Sequence, residues 1–285
     1  MVVRKKRRAI LRASHAVCHA RTGAVRVEAC AAFVRNTGTL CYVAGTYTCP
    51  QINDIRFMLT AAEIDAVRLS LSIATRSVAV SLPVAVLFAW LLARGRWRGK
   101  VLLDAVVHLP LVLPPVVVGY VLLLLFGVRG PIGQWLDATF GVRLIFTSGG
   151  AALATAVMSF PLMVRAIRIA LEGIDPGLED AARTLGAGAW DRFATITLPL
   201  MLPGILAGAV TAFAAGLGEF GAVITFVSNI PGETRTLPLA LYTALQTPGG
   251  EAMAARLAMI SFTLGMCGLL ISEFIARRVR RMLGR

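Results

Sequence analysis

Five stretches of the chain are apolar for long enough to cross a bilayer, and short charged links separate them. Residues 77–93, 101–126, 151–171, 200–226 and 256–275 are each close to the roughly 20 apolar residues that a hydrocarbon core requires. Residues 61–75 predict an amphipathic, partly interfacial lead-in to the first, with Arg76 extending its guanidinium towards the interface. Pro110, Pro114 and Pro115 predict a bend in the second span, and Asp104 and His108 near its start mark an end that is interfacial or faces protein. The third contains Pro161 and carries Arg165 and Arg168 towards its inner end. The pattern is that of an all-α membrane protein with about five transmembrane helices.

The charges in the links orient these spans. Residues 94–100 hold Arg94, Arg96, Arg98 and Lys100, and the tail holds Arg277, Arg278, Arg280, Arg281 and Arg285, so both face the cytoplasm by the positive-inside rule. The links 127–150 and 227–255 balance Arg129, Arg143 and Arg235 against Asp137, Glu233 and Glu251 and therefore face outwards. Five crossings then bring residues 173–199 to the cytoplasmic side.

That segment is the one polar insert patterned like folded structure. Asp175 is placed to cap a helix, Pro176 suits its first position, and Glu179 and Asp180 lie near the positive end of its dipole. Leu178, Ala182 and Leu185 form an apolar stripe with Ala181 beside it, and Gly186 predicts the stop. A second segment, 189–197, sets Trp190 and Phe193 on one face before Pro199 is expected to interrupt it. The expected product is a helix-turn-helix knob.

Composition agrees with the spans: 57% of the 285 residues are hydrophobic and mean hydropathy is +0.74, above soluble domains. The net charge of +14 would suggest a nucleic-acid partner, but +8 of it lies in residues 1–57. That region also holds Cys18, Cys30, Cys41 and Cys49, with only Cys267 beyond it. Its arginines interrupt every candidate secretory core. No C-x-x-C pair accompanies His15 and His19, so a zinc site is not expected. The segment reads as a disordered basic extension, or as residues ahead of a translation start at Met58.

Asp180-Ala181-Ala182, three residues, Gly186, nine residues, then Ile196-Thr197-Leu198-Pro199 resembles the cytoplasmic EAA loop of binding-protein-dependent ABC importer permeases, with Asp180 where the family usually has Glu. Three further stretches are similar to the molybdate branch of that family: 108–120, 159–165 and 218–251. The resemblance covers 60–276; sulfate/thiosulfate permeases share the loop and are the alternative. It implies a type I importer permease fold and a homodimer in the cytoplasmic membrane. Two ATPase subunits would bind inside, an oxyanion-binding protein would deliver substrate outside, and membrane lipid would surround the spans; a nucleic-acid partner is not expected. It also implies a non-catalytic subunit that binds no cofactor or metal, with ATP and Mg held by the partner ATPase. Glu179, Asp180, Ala181, Ala182, Leu185, Gly186, Ile196, Leu198 and Pro199 would be the coupling residues.

Glu219, flanked by Gly216, Gly218 and Gly221, is an ionisable group inside the fourth span. It is a candidate for the translocation pathway or gate, together with Pro114 and Pro115, or for a structural partner of a basic group or backbone amide. Ser228, Asn229, Thr234 and Arg235 are candidate donors at the outer mouth, or a docking surface for a binding protein. Two other classes compete. A secondary transporter would show an inverted repeat or a midplane relay, and a membrane enzyme would need a phosphate-binding loop, an HExxH helix or a nucleophile elbow. None of these motifs is found in the chain.

Overall fold

The computed structural model describes residues 30–31, 42–43, 59–95 and 98–282, in two units, 1–54 and 55–285. In the first unit β1 (Cys30–Ala31) pairs antiparallel with β2 (Tyr42–Val43), Cys30 opposite Val43. The rest of the expected 1–57 extension, including His15, His19, Cys18, Cys41, Cys49 and the boundary at Met58, lies outside the described residues.

The described part of the second unit is helical. α1 (Ala61–Arg94) opens on a reciprocal cap, with Glu63 N donating to Thr60 Oγ1 at 3.3 Å and Thr60 N donating to Glu63 Oε2 at 2.7 Å. The expected lead-in and first span are therefore one helix of 34 residues, about 51 Å at 1.5 Å per residue. Nothing breaks it at Arg76, because a single polar side chain leaves the backbone ladder intact.

α2 (Lys100–Val112) and α3 (Pro115–Phe126) replace the expected second span and meet at a bend of 115°. The position follows from Pro114 and Pro115, which lack amide hydrogens and drive the preceding residue out of the helical region. α4 (Pro131–Phe140) lies in the following link, and α5 (Ser148–Glu172) is the third span, with Pro161 inside it. After the knob, α8 (Leu198–Leu217) ends nine residues short of the expected Phe226. A separate α9 (Gly221–Val227) follows, then α10 (Leu237–Gln246) and α11 (Glu251–Met282). Between the two helices, the carboxylate of Glu219 accepts from Ala222 N in the first turn of α9 at 2.9 Å.

Among the described residues, four helices are long and apolar enough to cross a membrane, five if the bent pair is one span. Half of the apolar window of α5 is buried within the chain, against 28% for α1 and 17% for α11, so α5 is the central helix. α1 and α8 pack on α5 and on each other, α11 packs on α8, and α9 lies between α3 and α5. Ala85, Ala89, Leu92, Met163, Ile167, Leu171 and Met201 form the core at the knob end. Ile73, Val118, Leu122, Ala151, Val223 and Phe226 form a second core at the opposite end.

Candidate functional site

α6 (Pro176–Thr184) starts as its sequence predicts: Asp175 Oδ1 accepts from Gly177 N at 2.9 Å, and Pro176 occupies the first turn. It closes with Ala187 N donating to Ala182 O at 3.0 Å, while Gly186 takes φ +85°, a conformation that costs an L-residue about 1–2 kcal/mol. α7 (Ala189–Arg192) follows. The expected interruption at Pro199 does not occur: 189–217 is one continuous helical run. A π-turn over Phe193–Thr197 precedes Pro199, and the wider turn gives the proline ring room beside the preceding carbonyls.

The acidic pair at the front of α6 divides. Glu179 Oε1 turns inward and accepts from Arg94 Nη2 at 2.8 Å and from Thr197 Oγ1 at 3.0 Å. Asp180 is exposed. Of the apolar stripe, Leu185 is 88% exposed and Leu178 49% exposed, and Trp190 is 81% exposed with its ring 6.1 Å from that of Phe193, edge to face. Ala181, Leu198 and Pro199 are also exposed, and Ala182 and Ile196 are half-buried. An open cleft of about 350 Å³ lies between Trp90 of α1 and Trp190, Phe193 and Arg192, with Glu179 and Thr197 on its wall. The knob thus carries large apolar side chains that its own chain does not cover.

The two helix breaks come together. Gly221 at the start of α9 faces Pro115 at the start of α3, where a Cβ on the glycine would stand 2.7 Å from Pro115 Cβ. One turn on, a Cβ at Gly119 would lie 2.7 Å from Ala222 O. Only glycine lets the two short helices touch here. Pro114 and Pro115 stand on one side of this junction of broken helices, and Glu219 immediately precedes the helix on the other.

Three of the residues expected at the outer mouth bond to neighbouring loop residues and to α10. Thr234 is fully buried, and its hydroxyl donates to Ser228 O at 3.0 Å and accepts from Ile230 N at 2.9 Å. Asn229 donates to Thr243 Oγ1 at 2.8 Å and accepts from Arg235 Nε at 2.9 Å. Ser228 is exposed at φ +65°.

Sequence reasoning missed two ionic clusters. Glu63, wholly buried, receives Arg256 Nε of α11 at 2.9 Å. Arg168 bridges Glu172 at 2.7 Å and Asp104 of α2 at 3.0 Å, and His108 Nδ1 lies 2.9 Å from Asp104 O. The Arg168–Glu172 spacing of four was readable from sequence. The links to Asp104 and Arg256 join residues 64 and 193 positions apart, and no local signal announces them.

Residues 81–281 match the family described as "Binding-protein-dependent transport system inner membrane component". The chain belongs to that family. It is a multi-spanning inner-membrane, non-catalytic component, and a binding protein is part of the system to which the family description assigns it. The molybdenum transport system permease protein ModB of Escherichia coli is 63% identical over 228 residues, 80% of this chain and 100% of the relative. The sulfate transport system permease protein CysT of Escherichia coli is 40% identical over 181 residues, 62% of this chain and 65% of that relative. Among solved structures, that of a bacterial ABC transporter involved in the import of the acidic polysaccharide alginate superposes with a TM-score of 0.64 at 18% identity, covering 77% of this chain and 80% of that one. The identity is low, and the likeness speaks for the fold alone.

Proposed function

We propose that the chain is the membrane-spanning permease subunit of an ATP-driven importer of molybdate and its near-isostere tungstate. The observation that carries the substrate is the 63% identity to a molybdenum permease along that relative's whole length, against 40% over 65% of a sulfate permease. Two copies of the chain would pair in the membrane, two ATPase subunits would dock inside, and an oxyanion-binding protein would dock outside.

The knob's uncovered Leu185 and Trp190 and the exposed Asp180 support its reading as the coupling surface for the ATPase, with Glu179, Ala181, Ala182, Gly186, Ile196, Leu198 and Pro199 shaping it. The junction of α3 and α9 supports a pathway or gate at Glu219, Pro114 and Pro115, since discontinuous helices expose backbone polar groups where a hydrated ion can pass. The loop 228–236, whose Asn229, Thr234 and Arg235 bond to the chain itself, is read as a rigid docking surface for the binding protein.

The test is ATP-dependent uptake of radiolabelled molybdate into vesicles holding this chain with its ATPase and binding protein. Uptake that a tenfold excess of sulfate leaves unchanged supports the molybdate reading, and strong competition by sulfate moves the chain to the sulfate branch. Glu219→Gln, measured in the same vesicles, should lower uptake while leaving assembly intact; unchanged uptake removes Glu219 from the pathway.

A further inference from the structure

Two bonds of the backbone join the knob directly to the membrane helices: its start continues α5, and its end continues α8. α1 has no such connection. It packs against α5 and α8 through buried side chains that include Ala85, Ala89 and Leu92. Among the described residues, one ion pair links the knob to any other element, and it is Arg94 Nη2 to Glu179 Oε1 at 2.8 Å.

Arg94 is the last residue of α1, so the pair grips that helix at its very end. Glu179 is held from the other side by Thr197 Oγ1 at 3.0 Å, and Thr197 is buried at the π-turn where the knob enters α8. The carboxylate therefore ties three places together: the end of α1, the front of α6 and the root of α8. The cleft of about 350 Å³ between Trp90 and Trp190 leaves the knob room to tilt beside α1 without a clash. At its far end α1 is fixed by the buried Glu63–Arg256 pair at 2.9 Å. A helix held at one end and pulled at the other turns about the held end.

We infer that Arg94 and Glu179 are positioning residues for transport, carrying displacement of the knob into a tilt of α1 while Asp180 and the exposed apolar side chains face the ATPase. The division of labour between neighbouring acidic residues follows: Asp180 is outward and Glu179 inward, so the two are not interchangeable. This inference rests on the reading of the knob as the coupling surface.

The experiment measures oxyanion moved per ATP hydrolysed by the full complex in vesicles, for wild type, Arg94→Gln, Glu179→Gln and the exchanged pair Arg94→Glu with Glu179→Arg. A purely structural role would lower uptake and hydrolysis together, in step with the amount of assembled complex, and leave their ratio unchanged. The tie predicts that each single variant lowers the ratio at least tenfold and that the exchanged pair returns it to within threefold of wild type. A wild-type ratio in Arg94→Gln overturns the inference. So does an exchanged pair no better than the single variants, and this comparison decides the matter if Arg94→Gln fails to assemble. Gly186→Asp, run alongside, alters neither Arg94 nor Glu179 and reports on the coupling-surface reading by itself.

Discussion

The two ends of α1 are each held by an arginine–glutamate pair of nearly the same length, 2.9 Å for Arg256–Glu63 and 2.8 Å for Arg94–Glu179. Their surroundings differ. Glu63 is wholly buried and also caps its own helix through Thr60, whereas the side chains of Arg94 and Glu179 are 26% and 29% exposed. A buried charge that loses its partner is left away from water, so opening the first pair carries the larger energetic penalty. Water can solvate either member of the second pair as it opens, so that pair can break and reform at small cost. Equal distances therefore describe an anchor at one end and a detachable tie at the other.

The contrast is open to direct attack. Glu63→Gln, which leaves Arg256 facing a neutral amide, should destabilise the protein by about 3 kcal/mol or more, read as a lower midpoint of thermal unfolding in detergent. A loss under about 1 kcal/mol would put both pairs in the same class. Gly186→Ala, beside the detachable end, meets nothing within 4 Å, so only its backbone strain at φ +85° counts, roughly 1 kcal/mol. A much larger loss would mean that the knob is braced by contacts absent from this chain alone.

Arg94→Gln should shift the unfolding midpoint least among the substitutions, by no more than about 1 kcal/mol equivalent, although it is expected to disturb transport. A destabilisation matching that of Glu63→Gln would make Arg94 an anchor too. Smallest of all is the effect of salt. Raising ionic strength from about 0.1 M to 1 M shortens the Debye length from about 10 Å to 3 Å, which should weaken Arg94–Glu179 measurably and leave Glu63–Arg256 unchanged. The coupling energy of each pair from a double-mutant cycle at the two salt concentrations checks it.

Much of this arrangement was legible in advance because it rests on local rules. The start of α6 at Asp175 and Pro176, its stop at Gly186 and the edge-to-face meeting of Trp190 with Phe193 all depend on residues a few positions apart. The bend at Pro114 and Pro115 was legible too, though not its size of 115°. Two expectations failed. Pro199 does not stop its helix because a π-turn absorbs the ring, and the fourth span ends at Leu217, ahead of a separate helix that opens beside Glu219.

Taken alone, the sequence determined that the chain is a helical membrane protein, where the apolar centre of each span lies, and which polar insert folds as a helical knob. Those properties follow from transfer of apolar side chains out of water and from backbone preferences, which act residue by residue. Only the tertiary structure decided which of two adjacent acids, Glu179 or Asp180, turns inward, which arginine meets Glu63, and that Pro115 and Gly221 touch. Each of these is a contact between distant segments at distances of about 3 Å, where electrostatic and steric energies change steeply, and no periodicity in a one-dimensional pattern encodes them.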